Sequence, residues 1–184
     1  MGRVVLDLAM SLDGFIGTKN REDGGLHDWY FSEEQNNNRM TVDELVTGIG
    51  AIIMGCRTYS MGSDQEGFED NPYTATNFVL THHPPEKLPK GNTPFVFVMD
   101  GIESALKQAQ VAAGERDVAI GGGADVAQQY LRAGLVDDLQ IHLVHILMGK
   151  GLRLFEEGAE AIKLEKYRVV EAPEVTHLYF HVVK

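Results

Sequence analysis

A run of three glycines between an apolar strand and a helix is the feature that most constrains this chain. Val118-Ala119-Ile120 is short and apolar, which is typical of a buried strand, and Gly121-Gly122-Gly123 follows it directly. Residues 124–134 then carry apolar side chains at helical intervals and close on a glycine suited to ending a helix. Three glycines let a backbone bend sharply and approach a ligand, and the start of a helix offers free N–H groups to a phosphate. The segment therefore predicts either a tight strand-to-helix turn or a phosphate-binding junction.

The overall composition limits the class of protein. The chain has 184 residues, of which 43% are hydrophobic and 23% charged, and we expect one domain over residues 1–184. A net charge of −11 argues against a surface for nucleic acid or an anionic membrane. The single cysteine, Cys56, excludes an internal disulfide and favours a reducing compartment. No apolar run reaches membrane-spanning length, so we predict a cytoplasmic protein.

Strand and helix patterns alternate through the middle of the chain. Residues 3–10 alternate as a strand does, and an amphipathic helix is predicted over 36–48. The order predicts an α/β fold with a mixed, mostly parallel sheet, helices on both of its faces in three layers, and a C-terminal antiparallel hairpin. The other predicted strands are 51–54, 77–81, 95–99, 118–120, 138–147, 162–171 and 175–183, and the other predicted helices are 102–113 and the one after the glycines.

Ligands of such sheets bind at the carboxyl ends of the strands. Three of these ends carry groups suited to phosphate, namely Gly55-Cys56-Arg57-Thr58, Thr81-His82-His83 and residues 121–126. One such junction is weak support, but three on successive strands indicate one extended anionic ligand such as a dinucleotide. The usual dinucleotide fingerprint is absent, because the sixth position counted from Gly121 is Val126.

The pattern instead resembles dihydrofolate reductase and, more closely, the reductase domain of bacterial riboflavin biosynthesis. The matching segments occur in the family order and span nearly the whole chain; they are Leu8–Gly17, Ile53–Tyr59, Leu80-Thr81, Ile120–Gly123 and His145–Phe155. The resemblance implies a dihydrofolate-reductase-like fold, NADPH as cofactor and reduction of a small-molecule substrate.

The resemblance also implies where NADPH would lie. The nicotinamide would be flanked by Ala9, Ile16 and Gly17, the phosphates would meet Gly55, Arg57 and Thr58, the adenosine end would be lined by Leu80, Thr81 and His82, and the pyrophosphate would be held by Gly121, Gly122, Gly123, Ala124, Asp125 and Val126.

Two positions depart from the family pattern. Cys56 stands first after the glycine, where members often carry the first of two basic residues, so a preference for NADPH depends on Arg57 and the following histidines. Asp7 stands two residues before the matching alanine, where riboflavin-pathway reductases typically place a lysine that reaches a substrate carbonyl. An acid there reverses the charge that a substrate meets.

Candidates for catalysis and substrate binding are few. A carboxylate near the start of the first helix would hold a pterin, and Asp28, Glu33 and Glu34 lie near that point. Asp13 and Trp29 are candidates for substrate contact, against a turn and loop packing as the alternatives. Hydride transfer needs alignment more than an acid or base, so the catalytic residues stay open.

The histidines do not predict a metal site. His142 and His145 lie on opposite faces of one strand, and His177 and His181 share a face but have no third ligand nearby in the sequence.

Three functions remain open: a riboflavin-type reductase of 5-amino-6-(5-phosphoribosylamino)uracil, a reductase of another substrate such as a pterin, and a nucleotide-binding sensor without turnover. By family resemblance we expect a homodimer, with residues 139–147 and the adjoining loop 149–155 at its interface.

Overall fold

A computed structural model describes residues 1–20, 23–31, 37–64, 74–86, 91–155 and 160–184. Its centre is an eight-stranded sheet in the order β4-β3-β2-β5-β1-β6-β8-β7. The first six strands in this order run parallel, and β6, β8 and β7 pair antiparallel with one another. The strands are β1 Val4–Ser11, β2 Ile49–Gly55, β3 Thr76–Leu80, β4 Phe95–Val98, β5 Asp117–Ile120, β6 Asp138–Val144, β7 Leu164–Glu171 and β8 Val175–Val182.

The helices cover both faces of the sheet and make three layers, as the sequence predicts. One face is buried by α3 and α4, and the main core lies between these helices and the apolar residues of β1, β2 and β5. The opposite face carries α1, α2 and a short 3₁₀ helix. The helices are α1 Asn37–Gly48, α2 Cys56–Asp64, α3 Ile102–Ala113 and α4 Ala124–Arg132, and the 3₁₀ helix is Asp28–Phe31.

Three boundaries differ from the sequence prediction. The strand predicted to reach Leu147 ends at Val144, because the N–H of Ile146 donates to the carbonyl of Val144 and closes a tight turn. The strand predicted over 51–54 is longer than expected, since β2 runs over Ile49–Gly55. Helix α2, which follows β2 directly, was not predicted from the sequence.

No helix in the part of the chain that the structure describes is long and apolar enough to cross a membrane.

Candidate active site

The two glycine junctions meet at adjacent strand ends. The N–H of Gly55 donates to the carbonyl of Gly122 at 2.9 Å, and the N–H of Gly121 donates to the carbonyl of Ile53 at 2.9 Å. A Cβ atom built on Gly122, whose φ is +115°, would lie 3.3 Å from the hydroxyl oxygen of Thr58. A larger residue at Gly122 would therefore be strained and would press on Thr58, so the sequence keeps the two backbones in close approach.

A helix begins at each of these junctions. Helix α4 has Gly123 at its N-cap position, and no side chain caps its N–H groups. Helix α2 begins directly after β2 and places Arg57 and Thr58 in its first turn. Arg57 is exposed and has no ion-pair partner among the described residues. Two helix starts, together with a guanidinium that has no ion-pair partner in the described part of the chain, are groups whose chemistry suits phosphate oxygens.

Two of the residues expected at the pyrophosphate differ in what their side chains do. The exposed carboxylate of Asp125 accepts a hydrogen bond of 2.8 Å from Gln129 one turn further along α4. Val126 is buried, and its Cγ2 lies 3.1 Å from a Cβ built on Gly55. Val126 therefore acts as a spacer between the two junctions.

The third junction continues the same edge of the sheet. Leu80 pairs with Gly55, and the N–H of Thr81 donates to the carbonyl of Val98 at 3.1 Å. The hydroxyl of Thr81 donates to the carbonyl of His83 and accepts from its N–H, which closes a small turn. His82 is exposed at the tip of this turn. The three junctions thus lie side by side on β3, β2 and β5.

The next strand in the sheet, β1, brings the remaining expected segment. Ala9 is buried and packs with Trp29 and neighbouring apolar residues. The N–H of Ile16 donates to the carbonyl of Leu152, and the carbonyl of Gly17 accepts from the N–H of Leu152, both at 2.8 Å. Residues 16 and 17 are therefore fixed against Leu152 in the loop that follows β6.

Asp13 fixes the loop that follows β1 to the loop that follows β6. Its carboxylate accepts hydrogen bonds from the hydroxyl of Ser11 at 2.7 Å and from the N–H groups of Met148 and Gly149 at 3.1 and 2.7 Å. The hydrogen bond from Ser11, followed by those from the two backbone groups, lowers the pKa of Asp13 to about 2. The structure thus gives this carboxylate three internal donors, which is a loop-anchoring role.

Trp29 covers a pair of buried histidines that the sequence interpretation did not bring together. Its ring centroid lies 4.9 Å from that of His142 and 5.0 Å from that of His177, and its Nε1 donates to the carbonyl of Leu26. Only 2% of Trp29 is exposed. The two histidines are directly paired across β6 and β8, and Asp7 lies at one end of the pair. Strand alternation gave the face of each histidine, but the pairing of β6 with β8 was needed to join them.

The chain matches a known protein family over most of its length. The family model of the RibD C-terminal domain matches residues 3–178. The chain belongs to the RibD C-terminal domain family. At the level of the family this supports a RibD-like reductase with the fold of dihydrofolate reductase.

Three relatives illustrate the membership in the RibD C-terminal domain family. The Bacillus subtilis (strain 168) protein YyaP is 25% identical over 169 residues, which cover 89% of this chain and 85% of YyaP. A protein from Shewanella sp. PV-4 named for riboflavin biosynthesis has a TM-score of 0.74 at 24% identity, over 99% of each chain. Dihydrofolate reductase from Enterococcus faecalis, in complex with NADP(H), has a TM-score of 0.68 at 18% identity, over 100% of this chain and 98% of the other. At these identities the two structures show the shared fold.

The acidic candidates of this RibD-family chain separate into two groups. Asp28 is exposed at the start of the 3₁₀ helix. Glu33 and Glu34 lie outside the described residues. Among the residues that the structure does describe, no group of three or more His, Cys, Asp or Glu side chains is arranged to hold a metal ion.

Proposed function

We propose that this RibD-family protein is an NADPH-dependent reductase whose cofactor lies across the carboxyl ends of β3, β2, β5 and β1. The observation that carries the proposal is the close approach of Gly55 and Gly122 beside Thr58. A side chain at either glycine would crowd the space between the starts of α2 and α4. The residues fit the group: Arg57 and Thr58 offer a guanidinium and a hydroxyl to phosphate, and the start of α4 offers backbone N–H groups to the pyrophosphate. When bound, NADPH supplies a hydride.

The test of cofactor binding is calorimetric titration with NADPH and NADH. A charge-assisted hydrogen bond contributes about 1.5–3 kcal/mol, so Arg57→Ala should raise the Kd for NADPH by about ten- to a hundredfold. Lys107→Ala removes the same charge from an exposed position on α3 and should change that Kd by less than about twofold, since long-range attraction is screened.

Failure of the wild-type protein to bind either cofactor would leave the fold standing and reject the reductase. Equal weakening by Arg57→Ala and Lys107→Ala would show that net charge, not a contact at the α2 start, decides the affinity.

The substrate we propose first is that of the riboflavin pathway, 5-amino-6-(5-phosphoribosylamino)uracil. One observation favours a second candidate, a pterin or a related heterocycle: Asp7 lies on the sheet face of Ala9 and presents an acid to that space. A carboxyl group accepts from N–H donors, which a pterin ring offers. NADPH oxidation with the phosphoribosylaminouracil and with dihydrofolate separates these candidates, and binding without turnover of either would favour a sensor.

The exposed thiol of Cys56 suits a reducing compartment, and we place the protein in the cytoplasm on that ground.

A further inference from the structure

Four polar side chains from four different elements form one hydrogen-bonded chain inside the protein. Nε2 of His142 on β6 lies 3.3 Å from Oδ2 of Asp7 on β1. Nδ1 of His142 lies 2.7 Å from Nδ1 of His177 on β8, and Nε2 of His177 lies 3.1 Å from Oδ1 of Asn38 on α1. The order is therefore Asp7, His142, His177, Asn38.

Only one end of this chain is accessible. His142, His177 and Asn38 have 2%, 0% and 3% of their surface exposed, and Trp29 packs on both imidazoles. The side chain of Asp7 keeps 18% exposure. Any group that exchanges a proton with the chain therefore does so at Asp7.

The contacts can be satisfied by two arrangements of protons, and in the first of them the amide oxygen of Asn38 faces His177. Oδ1 of Asn38 accepts, so Nε2 of His177 carries a proton and its Nδ1 accepts when the ring is neutral. Nδ1 of His142 then donates to His177. The remaining contact, between His142 Nε2 and Asp7, needs one further proton, because an unprotonated nitrogen and an ionised carboxylate would repel each other.

His177 is held neutral by its surroundings. Burial, followed by the nearby charge of His142, lowers the pKa of His177 to about 4, while Asp7 opposes this and Arg168 on β7 adds to it. Arg168 is itself paired with Glu44 on α1 through two hydrogen bonds of 2.7 and 3.1 Å. Tyr179 on β8 also lies within the electrostatic influence of Asp7. The extra proton of the chain thus lies between Asp7 and His142.

A second arrangement holds one proton fewer. If the Asn38 amide turns over, its NH₂ group donates to Nε2 of His177, whose Nδ1 then donates to His142. His142 in turn donates from Nε2 to an ionised Asp7. In both arrangements each contact along the chain joins one donor to one acceptor, and the two arrangements differ by one proton at the Asp7 end.

Asp7 lies next to the proposed cofactor cleft. Leu6, the residue before it, pairs with Ile120, which directly precedes the three glycines. Ala9 lies two residues further along the same face of β1, and two residues of strand span about 7 Å. Asp7 therefore lies between the glycine junction and the segment proposed to flank the nicotinamide.

We infer that Asp7 is the acid that protonates the substrate during reduction and that His142, His177 and Asn38 are positioning residues that hold a proton at the contact between His142 and Asp7. This rests on the proposed function. The substrate carbon of a C=N or C=O bond gains a hydride from NADPH, which becomes NADP⁺. The electron pair of the π bond moves to the nitrogen or oxygen, which takes the proton from Asp7. The chain passes to its second arrangement and regains a proton from water.

The first test is made on the free protein, with ¹⁵N-labelled histidine observed by NMR at about pH 7, where a histidine of ordinary pKa is mostly neutral. In the wild type we expect Nδ1 of His142 to carry a proton, with a further proton shared between its Nε2 and Asp7. In Asp7→Asn the amide can donate to His142, so Nε2 should carry none. A wild-type His142 protonated at Nε2 alone would mean that the resting chain has no proton to give and would overturn the proposal.

The second test is kinetic, with the phosphoribosylaminouracil and dihydrofolate as substrates. Loss of a general acid costs about 10²- to 10⁴-fold in rate, so Asp7→Asn should lower kcat by at least about a hundredfold and His142→Gln by less. The fall in kcat should shrink at lower pH, where water and buffer supply protons. His145→Gln is the matched control, because His145 is exposed near the end of β6 and bonds to Thr176 outside the chain.

The two proposals fail separately. If wild type binds NADPH and Asp7→Asn retains kcat within about threefold, the acid role is overturned while the reductase stands. If neither substrate is reduced, the NMR measurement on the free protein still decides the proton inventory. Loss of the thermal transition in a variant would identify a folding defect, and Asp7→Asn is chosen because it keeps the shape of the side chain.

Discussion

His177 should make this protein lose stability in mild acid. It is fully buried between His142 and Asn38, under the ring of Trp29. Burial, and after it the charge of His142, lowers its pKa from 6.5 to about 4. Protonation of this ring in the folded state would add a charge where no solvent reaches it and would remove the lone pair that accepts from His142.

The sign and size follow from the two pKa values. Between pH 6.5 and about 4 the unfolded chain binds a proton at residue 177 that the folded protein does not bind. The free energy of unfolding therefore falls as the pH falls through this window, and the full contribution is present above pH 6.5. At about 1.4 kcal/mol for each pH unit, the loss is about 3 kcal/mol. For a chain of this size that corresponds to about 6–12 °C in Tm.

The assay is urea unfolding of the wild type and His177→Gln across this range of pH. Glutamine can hydrogen-bond to both neighbours but does not titrate, so its unfolding free energy should fall by about 3 kcal/mol less than that of the wild type. Groups outside the hydrogen-bonded chain contribute equally to both proteins. Asp13→Asn is a control, because the lowered pKa of Asp13 makes its contribution complete above pH 3.8 and lost only as the pH falls toward 2. Parallel curves for wild type and His177→Gln would refute the reasoning.

Two further predictions concern packing and assembly. Gly50→Ala should destabilise the protein by about 1–3 kcal/mol, because the new Cβ would lie 2.7 Å from Cα of Ala113. At Gly48 a Cβ would have nothing within 4 Å, so Gly48→Ala should be neutral or stabilising by up to about 1 kcal/mol. Equal urea midpoints for the two variants would contradict this. We also expect light scattering to show a dimer that Leu147→Asp disrupts and Val111→Asp does not, since both side chains are exposed but only Leu147 adjoins the 149–155 loop. A wild-type mass of 20.3 kDa would exclude the dimer.

The position of β6 in the sheet limits how two copies of the chain could associate. β6 lies inside the sheet between β1 and β8, so its edges are paired within the chain. An interface in this region would use exposed side chains such as Leu147 and Phe155, not backbone pairing along the strand.

The proposed cofactor cleft was predictable because its signals are local. A strand followed by glycine and a helix occurs twice within short windows, and parallel pairing brings both carboxyl ends to one edge of the sheet. Helix α2 was missed because Gly62 and two serines between residues 56 and 64 lower its intrinsic helix propensity, and its packing on β2 and β3 stabilises the helix. The end of β6 was missed because Ile146 and Leu147 continue the apolar pattern beyond a turn that only backbone hydrogen bonding sets.

The hydrogen-bonded chain of four polar side chains could not be predicted from local signals, because residues 7, 38, 142 and 177 are far apart in the sequence. His142 and His177 meet only after β8 pairs with β6, and His142 meets Asp7 only after β6 pairs with β1.

The groups proposed for cofactor binding and for proton transfer lie on different sides of β1 in the sheet. Toward β5, β2 and β3 lie the glycine junctions and the helix starts that suit phosphate, whereas toward β6 and β8 lie Asp7 and the two histidines. The groups suited to the cofactor phosphates and the proposed acid would then lie on opposite sides of the same strand. A substitution that alters only the cofactor side should change the Kd for NADPH, and one on the β6 side should change kcat, because each group acts through its own half of the sheet.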